Sequence, residues 1–555
     1  MSSDSPRVVI VGAGIGGLIF SIALKQKFPG YENFTIYEKA SDVGGTWRDN
    51  THPGCSSDIA IMYYSHSTAL KHDWTHSLAY QPQIQEYWQE MARNNDLYRK
   101  CVFNTRVIAA DWDVDKELWV VVTKDLKTGT ESTTTAKILV SALGFLELPH
   151  YPNINGLNKF KGDMFHSAKW DYGISLKNKR VAIIGNGASA TQFVPVISED
   201  PSTEIVEFCR TPYWVLWNLR NSYGPVRQFL LKWIPFNMLL HRYYHCVKPF
   251  STFYIKTFAP KEYHDKLIPT YKVGCRRLIF NSFYLESLHR PNMRLNWDGI
   301  DSIVEDGIIT KKGEKFTFDV IILSTGFITD DYPLHVRGTE QSVKEYYVSK
   351  GGPTAYRGTT VPGFPNFYII GGPNTITGHA SVLFTEEVQA NYAMTLVVPV
   401  IEGLVSSFTV KHQPADEWNA KIQARLARSV FPDCLSWYRS GKDGKVTSVF
   451  PGGALLFWWW MRKTYFEHYD AVASQDWYKQ LKREKRIKAT KLVVTGLSAV
   501  AFGVWLAHEF WRTGSILDVL NEVREIGVLF IGWHVLIAFK GTVSKLGKLV
   551  SFMRL

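Results

Sequence analysis

Two apolar strands, each running straight into a glycine turn, constrain this chain more than any other feature. Val8–Val11 leads into Gly12-Ala-Gly-Ile-Gly-Gly17, and Arg180–Ile184 leads into Gly185-Asn-Gly-Ala-Ser-Ala190. In each turn the first glycine permits the tight bend, and the second lets backbone approach a diphosphate. The third position, Gly17 or Ala190, lets the following helix pack on its strand. The N–H groups at the start of that helix are left for phosphate oxygens. Gly12, Gly14 and Gly17 mark the first site; Gly185, Gly187 and Ala190 mark the second. A chain with two such units is expected to be an α/β protein with two Rossmann-like dinucleotide-binding domains.

The strand after each turn tells the two sites apart. Phe34–Tyr37 ends at Glu38, 21 residues after Gly17, whereas Glu204–Phe208 reaches Arg210, 20 residues after Ala190. A carboxylate there accepts hydrogen bonds from ribose hydroxyls and repels a 2′-phosphate; a guanidinium can hold that phosphate with two parallel bonds. The first site therefore suits FAD or NAD, and the second suits NADP. Two different dinucleotides in one chain imply hydride transfer from NADPH to a bound flavin.

At roughly 100–200 residues per domain, 555 residues hold three or four units. The turns Ser141–Phe145 and Ser324–Phe327 mirror each other and mark where the chain leaves one domain and returns. The expected order starts with an FAD domain over 1–148, followed by an NADP domain over 149–323 with an aromatic, basic helical insertion at about 215–271. The chain then returns to the FAD domain over 324–480 and ends in a tail over 481–555. Leu118–Val122 and Ala136–Ser141 read as further strands. The six cysteines are scattered, with no CxxC pair. Reduced thiols are therefore expected, with neither a disulfide framework nor a metal site.

Net charge is +12, but no nucleic-acid recognition motif accompanies it, so nucleic acid is a poor partner. From Lys482 to Leu555, twelve Lys/Arg stand against five Asp/Glu. Leu492–Ala507 and Ile526–Phe539 are uncharged, mostly apolar runs of 16 and 14 residues, flanked by lysines and arginines. Each falls short of the ~20 residues that span a bilayer. Candidate membrane helices at 492–511 and 526–539 fit a hairpin, or two helices lying in the interface, with the catalytic domains facing the cytosol. The alternative is a C-terminal subdomain docked on the enzyme.

Phe160-Lys-Gly-Asp-Met-Phe-His-Ser-Ala-Lys-Trp-Asp171 places Phe160, Gly162, His166, Trp170 and Asp171 in one fingerprint. Gly44-Gly-Thr-Trp47, Pro53-Gly54 and Asp58 form a second. On these residues the chain resembles the class B flavoprotein monooxygenases, and within them the Baeyer–Villiger monooxygenases, over roughly residues 6 to 480. His52 departs, standing where Phe or Tyr is usual. The resemblance implies an FAD enzyme that uses NADPH and O2 to insert an oxygen atom beside a ketone carbonyl. It implies a C4a-peroxyflavin, with NADP+ retained during turnover. It also gives His166 a hinge role and not a proton-shuttling one.

The same resemblance carries over further residues. Gly45, Thr46, Trp47 and Arg48 would begin the flavin contacts, and Asp58, Ile59 and Tyr64 continue them. Ser56, Ser57 and Asp58 would also meet NADP. Asn186 and Gly187, then Ala188, Ser189, Ala190, Thr191 and Gln192, would cradle its diphosphate. Arg210 and Thr211 would hold the adenosine end. Gly371–Asn374 and Gly378–Val382 match the segment near the flavin's pyrimidine ring. Trp437 matches a tryptophan that covers the nicotinamide side, or is a core aromatic.

Gly274-Cys-Arg-Arg277 resembles the segment that delivers the family's active-site arginine, with Arg277 as that residue and Arg276 on the NADP phosphate. A permanently charged guanidinium lowers the pKa of a flavin peroxide and stabilises the oxyanion of its carbonyl adduct. Asp58 is its expected counter-ion, since a buried unpaired arginine is costly. Surface cations at a helix end are the plainer alternative. The substrate class compatible with 19 Trp and a membrane tail is a bulky lipophilic ketone such as a terpenoid, steroid or polyketide. Two other readings remain: an N- or S-oxygenating flavin monooxygenase, and a non-oxygenating membrane-tethered flavoprotein. Oligomeric state stays open.

Overall fold

The computed structural model of the chain describes residues 6–217, 224, 251–378, 381–440, 444–483 and scattered positions from 486 to 512. It divides into a unit over 1–473 and a second over 474–555. The first unit contains two parallel sheets. One has the strand order Phe367–Ile369, Ile138–Ser141, Val8–Val11, Phe34–Tyr37, Cys101–Val102, all parallel. Val8–Val11 is buried throughout, which is why it reads as an unbroken apolar run without alternation. Helices Ile15–Lys27 and Val382–Ile401 pack against each other beside this sheet. A mixed sheet, with Thr105–Asp113, Leu118–Asp125 and Glu131–Ala136 antiparallel and His335–Arg337 parallel to the first of them, adds Trp119 and Val121 to a core shared with Val9 and Val11.

The second parallel sheet runs Met293–Asn296, Glu204–Phe208, Arg180–Ile184, Val320–Leu323, Asp163–His166. Phe193, on the Ala188–Ile197 helix, closes one face with Ile183, Ile205 and Leu285. The antiparallel strands at 300–317 close the other through Ile303, Ile308 and Phe318.

The chain passes between the sheets at two adjacent crossings. Leu148–Pro149 pairs antiparallel with Phe327–Ile328, and His150 N–H donates to the Gly326 carbonyl at 2.8 Å. The two mirrored turns thus lie side by side as a two-stranded link. His166 ends its strand against this link, 1% exposed, packed on the rings of Tyr151 and Phe327. Its Nδ1 accepts from Ala168 N–H at 3.1 Å, and burial lowers its pKa to about 4. It is neutral at physiological pH and packed against the link between the two sheets.

The expectation of reduced cysteines is corrected at one pair: Cys275 and Cys434 form a disulfide, with Cα atoms 5.8 Å apart. They lie 159 residues apart in sequence, so no local spacing could announce them. Among the described residues no group of acids, histidines and cysteines could hold a metal ion. Likewise, no described helix is long and apolar enough to cross a membrane. The candidate membrane helices fall outside the described residues apart from isolated positions up to 512, as does most of the insertion between 218 and 250.

Candidate active site

The first glycine turn is shaped as a phosphate cradle. A Cβ on Gly17 would sit 2.0 Å from the Gly12 carbonyl oxygen, so only glycine lets the helix start this close to the strand. Gly45 (φ +54°) lies against Gly14; a Cβ there would be 2.9 Å from the Gly14 Cα. The loop bearing Thr46, Trp47 and Arg48 is thereby docked on the turn, and Gly44 N–H donates to the Ala13 carbonyl at 3.0 Å. Helix Ile15–Lys27 has no side-chain cap, which leaves its first N–H groups for a ligand.

Glu38 is 5% exposed and fixed: its Oε2 accepts from Ala13 N–H at 2.7 Å and its Oε1 from Ala40 N–H at 2.9 Å. Burial raises its pKa, opposed by those two bonds and by Arg48. It therefore shapes the turn as well as ending the strand where a ribose would lie. Arg48 Nε is buried without a partner among the described residues, as is Glu386 Oε2. Glu386 stands within 3.4–3.5 Å of the positions a Cβ would take on Gly16 and Gly371. Burial, then Glu387, pushes its pKa up to about 8, so it is neutral at pH 7. A guanidinium paired with Asp49 at one nitrogen but with its Nε unsatisfied, an uncharged acid and an uncapped helix around one glycine turn fit an anionic dinucleotide such as FAD. Ile59 is buried nearby in sequence, and Tyr64 meets Trp47 edge to face at 5.3 Å.

The second cradle is built alike. Gly187 precedes helix Ala188–Ile197 without a side-chain cap, and Asn186 Nδ2 donates to the Thr211 carbonyl at 3.2 Å. Arg210 is exposed two residues past the end of its strand and makes no ion pair among the described residues. Arg276 lies over the rings of Tyr213 and Tyr271, 5.8 and 5.5 Å from their centroids. Ala190 and Thr191 are buried, with Ser189 half-buried and Ala188 exposed at the helix start.

Gln192 joins the two cradles. Its Nε2 donates to the Ser56 carbonyl at 3.0 Å, while His52 Nε2 lies 3.1 Å from its Oε1. His52 also stacks edge-on against Phe193 at 6.0 Å, and burial lowers its pKa to about 4. The unusual histidine thus fills an aromatic position and adds one neutral hydrogen bond. A small cavity opens beside this junction, lined by Ser57, Asp58, Thr191, Gln192 and Phe280. Ser57 Oγ is buried there with no partner among the described residues.

Arg277 and Asp58 meet at the same place. Arg277 Nε donates to Asp58 Oδ2 at 2.7 Å, and its Nη1 donates to the Gly378 carbonyl at 3.1 Å. Burial alone would lower the guanidinium's pKa; the Asp58 carboxylate outweighs it and holds the pKa above the ordinary value. Arg277 is a fixed cation.

Tyr438, fully buried, senses the charge of Arg277, and sequence reasoning missed it. Its neighbour Trp437 stacks on the hinge residue Phe145 at 6.0 Å and 10°, with its carbonyl accepting from Thr329 Oγ1 at 2.8 Å. Glu386 was also missed; it is the buried one of two adjacent acids, Glu386 and Glu387, in a mostly apolar helix, and which of them faces inward is set by packing.

The family described as FMO-like, flavin-binding monooxygenase-like, matches the chain over residues 5–400. The FAD-binding monooxygenase ktnD of Aspergillus niger is 31% identical, over 94% of this chain and 92% of that protein. A Baeyer-Villiger monooxygenase of Pseudomonas aeruginosa is 33% identical, over 80% of this chain and 88% of that protein. Among solved structures, OTEMO in complex with FAD and NADP superposes with a TM-score of 0.76 at 22% identity, covering 85% of this chain and all of that one. A closed cyclohexanone monooxygenase does so at 0.74 and 23% identity, over 85% of this chain and 100% of that one.

Proposed function

The chain belongs to the flavin-binding monooxygenase-like family, and from that premise we infer that its own work is Baeyer–Villiger oxidation of a bulky, lipophilic ketone. It is an FAD-dependent monooxygenase that uses NADPH and O2 to insert an oxygen atom beside a ketone carbonyl, giving an ester or lactone. The observation that carries this reading is the Arg277–Asp58 pair, set where the two dinucleotide cradles meet. Bound FAD would supply the redox chemistry, carrying electrons from NADPH to O2, and O2 would be the source of the inserted oxygen.

The chain's own residues do the rest. Glycine turns and uncapped helices hold the two diphosphates. Arg210 selects the 2′-phosphate, and Arg276 lies ready for phosphate contact on its aromatic shelf. Arg277 holds a charge that cannot be neutralised at this junction, where it would favour negative charge on the inserted oxygen and on the substrate's carbonyl oxygen. Asp58 and the Gly378 carbonyl fix the direction of that cation, and Tyr438 closes the space around it.

The lipophilic substrate and a membrane-associated location facing the cytosol rest on further features. On helix Ala454–Met461, Leu455, Trp458 and Trp459 are 67%, 44% and 55% exposed, and Arg462 stacks over Trp459 at 3.4 Å. Tryptophan with adjacent cations suits a bilayer interface. The basic residues of 482–491 and 540–548 add attraction to anionic lipid. The deciding experiment is NADPH consumption against a panel of cyclic and bulky ketones, with product mass and position determined. Ester or lactone from a bulky ketone supports the reading. Oxygenation of amines or sulfides alone overturns it.

A further inference from the structure

The Cys275–Cys434 disulfide joins two segments that both end at the reacting centre. Cys275 directly precedes Arg276 and Arg277. Cys434 lies three residues before Trp437 and four before Tyr438, whose buried ring neighbours Arg277. The same segments are held together a second time by Lys272 and Asp433, an ion pair of 2.8 Å between side chains 72% and 41% exposed. An exposed pair of this kind contributes little. The covalent bond is therefore the main tie between the arginine's segment and the aromatic one.

We propose that Cys275–Cys434 is a redox-modification site: the disulfide positions Arg277, and its reduction by a dithiol frees the arginine's segment and uncouples oxygen activation from product formation. Attack is directed at Cys434, which is 7% exposed while Cys275 is fully buried. A dithiol thiolate bonds to the Cys434 sulfur, the S–S bond breaks, and the electron pair leaves on Cys275. The second dithiol sulfur then releases Cys434, so that the dithiol is oxidised to a cyclic disulfide. Two electrons and two protons end on the two cysteines.

The inference rests on the oxygenase reading, and its test separates the two. Full-length FAD-loaded protein is alkylated before and after dithiothreitol, and the modified cysteines are mapped by mass spectrometry. In parallel, product and hydrogen peroxide formed per NADPH are measured, with hydrogen exchange of peptides covering 270–280 and 430–440. The expected result is protection of Cys275 and Cys434 until reduction, then faster exchange in both peptides. Product per NADPH should fall on the order of a hundredfold, as for a catalytic group displaced by about 1 Å, at an unchanged rate of flavin reduction. Cys434→Ser should behave like the reduced protein and ignore dithiothreitol. If that variant fails to fold, titration of the wild-type chain with dithiothreitol decides alone. Free alkylation of both cysteines before reduction, or unchanged exchange and coupling after it, overturns the proposal. Protected cysteines and responsive peptides in a protein that oxygenates no ketone would overturn the oxygenase reading instead.

Discussion

Arg277 and Asp58 are 219 residues apart in sequence and 2.7 Å apart in space, Nε to Oδ2. One comes from the segment after the NADP-side insertion, and the other is the last residue of the Gly44–Asp58 fingerprint. The cation is thus oriented from both sides of the domain junction, and neither domain alone presents it.

Arg277→Ala should lower ketone oxygenation by at least about a hundredfold, the scale seen when a charge-stabilising donor is removed. Flavin reduction by NADPH should stay within about threefold, because the phosphate cradles are untouched. Arg277→Lys should recover only part, since a lysine lacks the fork that engages Asp58 and Gly378 together. Anaerobic stopped-flow reduction beside steady-state product analysis checks both.

Arg210→Ala should raise the KM for NADPH by about ten- to a hundredfold while leaving that for NADH nearly unchanged, the loss expected for a charge-assisted bidentate contact. The ratio of kcat/KM for the two donors is the measurement.

Two buried acids set a pH dependence of stability. Burial holds Glu386 and Glu207 at pKa values of about 8, against 4.5 ordinarily. Between those values the folded chain keeps protons that the unfolded chain releases, so stability falls as pH rises from about 4.5 towards 8. Glu386→Gln should flatten this slope and raise Tm at pH 8 relative to wild type. Glu207→Gln should flatten it less cleanly, because Tyr284 Oη–H donates to Glu207 Oε2 at 2.6 Å. Thermal melts across pH 5–8 settle the sign.

Trp458→Ser combined with Trp459→Ser should weaken sedimentation with vesicles of mixed neutral and anionic lipid by roughly thirty- to several-hundredfold, given about 1–2 kcal/mol for each of the two interfacial aromatics partly withdrawn from water. Soluble turnover of a small ketone should be unaffected. Equal sedimentation of variant and wild type would remove these residues from the membrane account.

Much of the nucleotide-binding architecture was legible because backbone reads phosphate, and backbone geometry is written in local spacing. Gly12, Gly14 and Gly17 announce the first cradle, and Gly185 with Gly187 the second; Glu38 and Arg210 follow at fixed distances. The catalytic pair was reached only through resemblance, since nothing local ties Arg277 to Asp58. Cys275 and Cys434 were misread for the same reason: their meeting is a property of the folded chain alone. Glu386 hid for a different one. Its position beside Gly16 and Gly371 depends on how two helices cross, which helical periodicity does not encode.

Gln192 grips the loop of His52 and Ser56 from a helix whose first turn faces the other nucleotide. The second glycine turn's helix and the loop of the first cradle are therefore held as one piece in this chain. Anyone transplanting a different nicotinamide-recognition turn into residues 185–192 would also have to redesign position 52, or the graft would arrive with its neighbour's handhold missing.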